Sequence, residues 1–208
     1  MNELTPYILA AALAWASGIR LYAALFIIGL AHRFGWISLP QDLQILSHGW
    51  VLSATGLLLL LEFFVDKVPA IDSAWDALHT FIRIPAGALL AAGVIAPQDG
   101  PAWALVAGLL GGTITAGTHF TKAGGRALVN TSPEPLSNWS ASFLEDGLVI
   151  FGLWLAWTHP LMFGLLLLLF LLLIAWLLPK LWRGVVHLMT KITQVIGLAS
   201  PQAGKEKS

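Results

Sequence analysis

Six runs of mostly apolar residues constrain this chain more than any other feature of its sequence. They cover residues 6–31, 49–65, 74–96, 102–121, 139–157 and 161–178. Each run is close to the ~20 residues that an α-helix needs to cross the hydrocarbon core of a bilayer. With 57% hydrophobic and only 11% charged residues, the chain also lacks the polar surface of a soluble domain. We therefore predict an all-α integral membrane protein with about six transmembrane helices.

The composition excludes several classes of function. Lys and Arg total 11, as do Asp and Glu, so the formal net charge is zero and nucleic-acid binding is disfavoured. The chain has no cysteine, which excludes disulfides and thiolate metal sites. Its histidines show no metal-ligand spacing, and no glycine-rich nucleotide loop occurs. We expect no cofactor, no metal site and no catalytic residue set.

Basic residues between the runs predict the orientation. With six spans, both termini and the second and fourth loops lie on one side of the membrane. That side or its border holds Lys67, Lys122, Arg126 and the cations after residue 179, whereas the other side holds only Arg33. Because positively charged loops stay in the cytoplasm, we predict that both termini are cytoplasmic.

Weak internal similarity predicts two repeats of three spans, residues 1–97 and 98–178. Gly56 and Pro69 bracket the second run at the same spacing as Gly147 and Pro160 bracket the fifth, and residues 17–20 resemble residues 116–119. A three-span unit that is repeated once inserts in opposite senses, as in many secondary transporters. The alternative is coincidence among residues that are common in membranes.

The C-terminal region has a different pattern from the six runs. We expect Pro179 to end the sixth helix. Apolar residues then recur at helical spacing beside cations, which predicts an amphipathic helix in the membrane interface over residues 179–200. Residues 201–208 are predicted to form a disordered tail.

Two arginines lie inside apolar runs. Arg20 is near the middle of the first run, and Arg83 is nine residues into the third. A charge at this depth costs at least ~2.5–3.5 kcal/mol on insertion scales, so it faces a partner or a wet cavity. Two interpretations are open: an anion site, since guanidinium is always charged and planar, or structural ion pairs with Glu62, Glu145 or Asp146.

Carboxylates form the second group of candidate residues. Glu62 and Asp66 lie one helical turn apart near the end of the second run, where they would bind a cation or relay protons. Glu145 and Asp146 are adjacent within the fifth run and repel each other unless one is protonated or a cation intervenes, so we predict a proton-titrating pair. We interpret Asp66, Asp72 and Asp76 as charges in a solvated loop. Asp66 nevertheless stays among the candidate site residues.

A basic stripe follows the fourth run. The spacing of His119, Lys122 and Arg126 places them on one helical face. Ser137 or Asn138 is a plausible cap for the fifth helix, whose N-terminal amides would point towards this stripe. Such an arrangement favours a phosphate or carboxylate, and the alternative is an ordinary positively charged membrane anchor.

Several motifs of the chain resemble a known family. They are ASGIRLY at 16–22, EFFVDKVP at 62–69 with Asp72 and Asp76, KAGGR at 122–126 and SPEP at 132–135. Together they resemble the bacterial membrane family called domain of unknown function 4126, over nearly the whole chain. The resemblance implies a multi-pass membrane protein, which we place in the bacterial inner (plasma) membrane.

These features lead to a first functional hypothesis and three alternatives. The hypothesis is a small transporter of an anionic solute or phosphate-bearing lipid, with or without proton coupling, in which Arg20, Arg83 and the basic stripe hold the anion. The alternatives are a cation transporter or channel that uses the carboxylates, an enzyme acting on lipid headgroups with His79 or His119 as base, and a structural assembly protein. The expected partners are membrane lipid and the solute or headgroup, with homo-oligomers possible.

Overall fold

The computed structural model describes residues 3–130 and 135–195, and nearly all of these residues are helical. The described part contains six α-helices and one short 3₁₀ helix, Gln41–Ser47, between the first two. The α-helices are α1 (Thr5–Arg33), α2 (Gly49–Val65), α3 (Pro69–Asp99), α4 (Pro101–Val129), α5 (Pro135–Thr158) and α6 (Pro160–Val195). The predicted all-α class is confirmed.

Proline fixes where most of these helices begin. Residues Pro69, Pro101, Pro135 and Pro160 are the first residues of α3 to α6. Proline is favoured there because its missing N–H would be unpaired in any first turn and its fixed φ already suits a helix. The predicted breaks at 66–69, 97–101 and 158–160 are therefore confirmed.

Three helices are long and apolar enough to cross a membrane, namely α1, α3 from Ile71 onwards and α5 from Leu136 onwards. The 3₁₀ helix and α2, bent by 65° at their junction, would add a fourth span if counted as one. In the described part of the chain, length and composition thus support a multi-pass membrane protein with three or four candidate spans. The predicted number of six spans is not shown.

The helix α1 changes direction at Arg20. This residue has φ −143° and ψ 81°, outside the helical range, and separates two helical halves. Near the start of α1, the Tyr7 hydroxyl donates a 2.7 Å hydrogen bond to Asp99 at the end of α3. A cavity of about 230 Å³ is lined by Pro6 from the start of α1 and by Trp36, which follows its end. A straight helix of this length would hold its ends ~43 Å apart, so α1 folds back as a helical hairpin with Arg20 at its tip.

This hairpin corrects two predictions. We expected residues 6–31 to cross the membrane once, and the N-terminus to lie on the side of the second loop. Instead Tyr7 lies beside Asp99, at the end of the helices opposite to the connection 66–68 that joins α2 to α3. An apolar pattern indicates burial, but it does not show whether a run of this length is one continuous helix or two halves joined by a turn.

Small residues bring the α1 hairpin close to its neighbours. A Cβ at Gly18 would lie 2.7 Å from the Thr115 carbonyl oxygen, and one at Gly87 would overlap the Thr115 side chain. The Thr115 hydroxyl in turn lies 2.8 Å from the carbonyl oxygens of Ala14 and Gly111. The central crossing of α1, α3 and α4 therefore depends on glycine, because any larger side chain would separate the backbones.

Two further predictions concern the repeat and the C-terminal helix. Residues 17–20 and 116–119 have similar sequences, but α1 breaks at Arg20 whereas α4 is helical through Gly117, and the structure does not show the inverted repeat. Helix α6 continues through Pro179 to Val195, so the expectation that Pro179 ends the sixth helix is wrong. The chain divides into two compact units after Leu168, and α6 runs through both. Residues 196–208, with the rest of the predicted interfacial helix and tail, lie outside the described residues.

Candidate functional site

A network of charged side chains joins residues from α1 to α5, and we call it the charged network. Its cations are Arg20, Arg83, Lys122 and Arg126, and its carboxylates are Glu62, Asp66, Asp72, Asp76, Glu145 and Asp146. His119 hydrogen-bonds to one of the cations. All nine residues that the sequence singled out as site candidates therefore lie together in one network.

The guanidinium of Arg20 contacts residues from two other elements. One of its terminal nitrogens pairs with Asp66, directly after α2. Its Nε lies 3.1 Å from Asp146 Oδ1 and 3.5 Å from Glu145 Oε2 on α5. The other terminal nitrogen donates to the Ser142 hydroxyl at 2.8 Å and to its carbonyl oxygen at 3.1 Å. Because Arg20 is the tip of the hairpin, these contacts anchor the reversal of α1.

Arg126 shares partners with Arg20. It lies 3.0 Å from Asp66 Oδ2 and 2.8 Å from Glu145 Oε1, and it donates a 3.1 Å hydrogen bond to the Asn138 carbonyl oxygen. Arg126 thus contacts the first turn of α5 through a carbonyl oxygen rather than through the predicted N-terminal amides. Helix α5 begins at Pro135, so Ser137 and Asn138 lie inside it and the prediction that one of them caps it is wrong. The acidic partners of Arg126 are carboxylates of the chain itself.

Arg83 forms the second centre of the network. Its guanidinium lies 2.5 Å from Glu62 Oε1 and 2.9 Å from Asp76 Oδ1, and it donates to His119 Nδ1 at 3.2 Å. The Arg83 and Glu62 side chains are fully buried, and that of Asp76 is 4% exposed. These residues come from α2, α3 and α4, so this centre holds three helices together.

Lys122 connects the two centres. Its Nζ lies 3.3 Å from Asp76 Oδ1, 4.0 Å from Glu62 Oε1 and 3.6 Å from Glu145 Oε2. A change of charge at Glu145 on α5 therefore alters the electrostatic interaction of the shared ammonium group with Asp76 on α3.

The network is closed on most sides and most open at α5. The side chains of Arg20 and Asp66 are fully buried, whereas those of Glu145 and Asp146 are 13% and 24% exposed. Four buried carboxylate oxygens of the network have neither a hydrogen bond nor an ion pair among the described residues, namely Glu62 Oε2, Asp66 Oδ1, Asp72 Oδ1 and Asp76 Oδ2. Protons or water would therefore reach the network beside Asp146.

Lys67 lies just outside the network, between α2 and α3. Its Nζ is 2.9 Å from the centre of the Phe63 ring and donates a 2.8 Å hydrogen bond to the Phe63 carbonyl oxygen. The rings of Trp139 and Phe143 lie within 6 Å of the same ammonium. Burial, followed by the positive charge of Arg20, lowers the pKa of Lys67 below its usual range. This cation is thus paired with aromatic rings.

The donor geometry does not favour a metal centre. Within residues 3–130 and 135–195, no group of three or more His, Asp or Glu side chains is placed to hold a metal ion. At least one oxygen of each carboxylate instead contacts a guanidinium or ammonium group.

Comparison with known proteins gives the chain a family. The model of the family described as domain of unknown function (DUF4126) matches residues 7–180. The chain belongs to this family. The resemblance noted in its sequence is confirmed, and the match includes every residue of the charged network. No curated protein and no solved structure matches the chain.

Sequence reasoning misjudged three carboxylates of this DUF4126 member. Asp66 and Asp72 are fully buried and Asp76 is 3% exposed, so their interpretation as solvated loop charges is wrong. Helix α3 begins at Pro69, before the apolar run, and so brings Asp72 and Asp76 onto its inner face. Their spacing to Arg83 was the available signal, because positions 72, 76 and 83 share one face of a helix.

Proposed function

We propose that the protein is a small membrane transporter that moves an anionic solute together with protons. The observation that carries the proposal is the composition of the charged network, in which six carboxylates surround four cations. With His119 neutral, the formal charge of this buried group is two negatives. Taking up protons brings it towards neutrality, the state that burial in a bilayer favours.

The same network restricts how an anion can bind. Each of the four cations already contacts at least one carboxylate of the chain. An incoming anion must therefore replace a carboxylate, and a carboxylate leaves its cation readily only when it is protonated. Binding of the anion and binding of a proton are then linked, and by reciprocity each raises the affinity for the other.

The break in α1 supports transport rather than a purely static role. Secondary transporters bind their substrates where a membrane helix is discontinuous, because unwound backbone at that point offers free polar groups. Here the discontinuity falls on Arg20, the cation whose partners Glu145 and Asp146 are the most exposed of the network. We propose that solute and protons enter beside these two carboxylates.

The proposed setting is the bacterial inner membrane with the charged network towards the cytoplasm. Lys67, Lys122 and Arg126 lie at this end of the helices, as the excess of cations on cytoplasmic faces favours. The start of α1 lies beside Asp99, so in this orientation the N-terminus is on the opposite side.

Proteoliposomes containing a pH-sensitive dye test the proposal. Inorganic phosphate, sulfate or succinate is added outside, and internal acidification is followed; a fluorescent phospholipid tests the lipid substrate in parallel. We expect at least one substrate to move with protons in the wild type. Glu145→Gln and Arg20→Gln should each slow that movement about tenfold or more, the effect of ~1.4 kcal/mol.

Asp42→Asn is the matched control, because Asp42 lies exposed in the 3₁₀ helix and outside the network. It should transport like the wild type. A wild-type protein that moves no substrate with protons, and whose network variants differ only in stability, would instead support a structural role. Proton release driven by an added cation would support the cation transporter, and product formation from lipid without a sealed compartment would support the enzyme.

A further inference from the structure

We propose that His119 is the positioning residue that makes Arg83 available to the anion when a proton arrives. The inference rests on the proposed function and names the residue at which proton binding and anion binding meet. It follows from the hydrogen bonds of the two imidazole rings in α3 and α4.

The contact with Arg83 fixes the protonation of one ring nitrogen. Arg83 Nη1 lies 3.2 Å from His119 Nδ1. A guanidinium has only N–H donors and no acceptor, so Nδ1 must accept this hydrogen bond with its lone pair. His119 therefore carries no proton at Nδ1 while the contact exists.

The other ring nitrogen is fixed by Thr80. His119 Nε2 lies 2.7 Å from the Thr80 hydroxyl oxygen, and that hydroxyl donates its single proton to the Asp76 carbonyl oxygen at 3.0 Å. The hydroxyl can then only accept from the ring, so Nε2 carries the proton. His119 is held as the neutral tautomer with its proton on Nε2.

A second proton on this ring is incompatible with the Arg83 contact. The proton would occupy the Nδ1 lone pair that accepts from Arg83, and it would place two positive charges 3.2 Å apart. The Arg83 guanidinium must then move away, which frees its Nη1–H groups for another acceptor. An anionic group of the solute is that acceptor in the proposed mechanism.

The surroundings of His119 decide whether the ring can hold a second proton. Arg83 and Asp76 face it from α3 and Lys122 from its own helix, with Glu62 of α2 behind Arg83 and Lys122. From helix α1, Gly18 lies against the His119 backbone, and Tyr22 bonds the neighbouring His79 ring. Asp76 and Glu62 both contact the same two cations, Arg83 and Lys122. When Arg83 moves away, the negative charge of these carboxylates can stabilise a doubly protonated His119 ring.

His79 provides an internal comparison. Its Nδ1 lies 2.8 Å from the Trp75 carbonyl oxygen, so this nitrogen carries a proton, and its Nε2 is 2.9 Å from the Tyr22 hydroxyl. A hydroxyl can accept as well as donate. His79 can therefore gain a second proton without losing either hydrogen bond, and its protonation would not displace an arginine.

Nitrogen NMR of the whole protein in lipid nanodiscs tests the inference directly. Histidine and arginine are labelled with ¹⁵N, and His119→Gln, His79→Gln and Arg83→Lys assign the signals. At neutral pH we expect His119 to be protonated at Nε2 and His79 at Nδ1. The opposite tautomer for His119, or a doubly protonated His119 ring at neutral pH, would overturn the inference.

Inorganic phosphate serves as the anion probe in the same sample. We expect it to shift the Arg83 guanidinium signals only at those pH values where His119 is doubly protonated. In His119→Gln the amide oxygen accepts from Arg83 at every pH, so the phosphate-induced shift should fall about tenfold or more, while His79→Gln should retain it. The inference is contradicted if the phosphate-induced shifts do not depend on the protonation of His119, or if they are absent when the ring is doubly protonated.

Failure of the inference is distinct from failure of the proposed function. The NMR experiment requires no transport, and the proteoliposome experiment requires no assignment of His119. Proton-coupled movement without the expected tautomer would overturn only the role of His119.

Discussion

Arg20 and Arg83 are both fully buried guanidinium groups that bind two or more carboxylates, but their backbones and partners differ. Arg20 interrupts α1, and two of its partners on α5 are partly exposed. Arg83 lies within α3, which keeps its helical direction although Pro85 follows two residues later, and its partners Glu62 and Asp76 are almost completely buried. One centre of the network is therefore at a chain reversal with access to the outside, and the other is enclosed by three helices.

This difference separates two tasks that a buried ion network can perform. Removing one partner of an enclosed ion pair strongly destabilises the protein, because the remaining charge is buried and no water solvates it. Partly open pairs can exchange protons, since water reaches them. The Arg20 centre is thus suited to taking up protons, whereas the Arg83 centre responds through Lys122 and His119.

The largest expected effect is on the side of the membrane from which the N-terminus can be labelled, because that side depends on the reversal of α1 at Arg20. The chain has no cysteine, so single cysteines can be introduced at Leu4, Ser38 and Val68 and labelled with an impermeant maleimide in whole cells and in lysed cells. Because α1 folds back at Arg20, we expect Leu4 and Ser38 to be labelled from the same side and Val68 from the other. Labelling of Leu4 together with Val68 would show that α1 crosses the membrane once.

Removing the enclosed cation should destabilise the protein most. Arg83→Met leaves Glu62 buried without its 2.5 Å partner and should lower the free energy of unfolding by about 3–5 kcal/mol. The measurement is SDS-induced unfolding of the purified protein in mixed micelles. Arg33→Met is the control, because Arg33 is exposed and should change stability by less than about 0.5 kcal/mol. Equal effects of the two variants would contradict the enclosed character of the Arg83 centre.

Arg20→Gln should cost less than Arg83→Met. The glutamine amide can still donate to Ser142, and water can reach Glu145 and Asp146, so we expect a loss of about 1–3 kcal/mol. The same unfolding assay measures it. A loss as large as that of Arg83→Met would indicate that the Arg20 centre is as closed as the other.

The smallest effects distinguish two glycines in similar sequence positions. Gly18→Ala places a methyl group 2.7 Å from the Thr115 carbonyl oxygen and should destabilise by about 1–3 kcal/mol. Gly117→Ala meets nothing within 4 Å and should stabilise α4 by up to ~1 kcal/mol through helix propensity. Opposite signs in the unfolding assay would confirm that the backbone is tightly packed at Gly18 and not at Gly117, and matching signs would refute it.

Much of the candidate site was accessible from sequence because charge in an apolar run is conspicuous. Arg20, Arg83, Glu62, Glu145 and Asp146 were all identified on that basis, and the stripe from His119 to Arg126 followed from helical spacing. The burial of Asp72 and Asp76 was missed because they precede an apolar run and resemble loop residues. Only the position of α3 against α2 and α4 shows that they face cations.

The sequence by itself determined that the chain is helical, apolar enough for a membrane and divided at its Pro- and Gly-rich breaks, because these properties depend on local composition and backbone restriction. It also determined which charges must find partners, since desolvation penalises each of them wherever the chain goes. Only the tertiary structure decided that α1 reverses at Arg20 and which carboxylate pairs with which cation. Those outcomes depend on contacts between residues far apart in the chain, and local pattern carries no record of them.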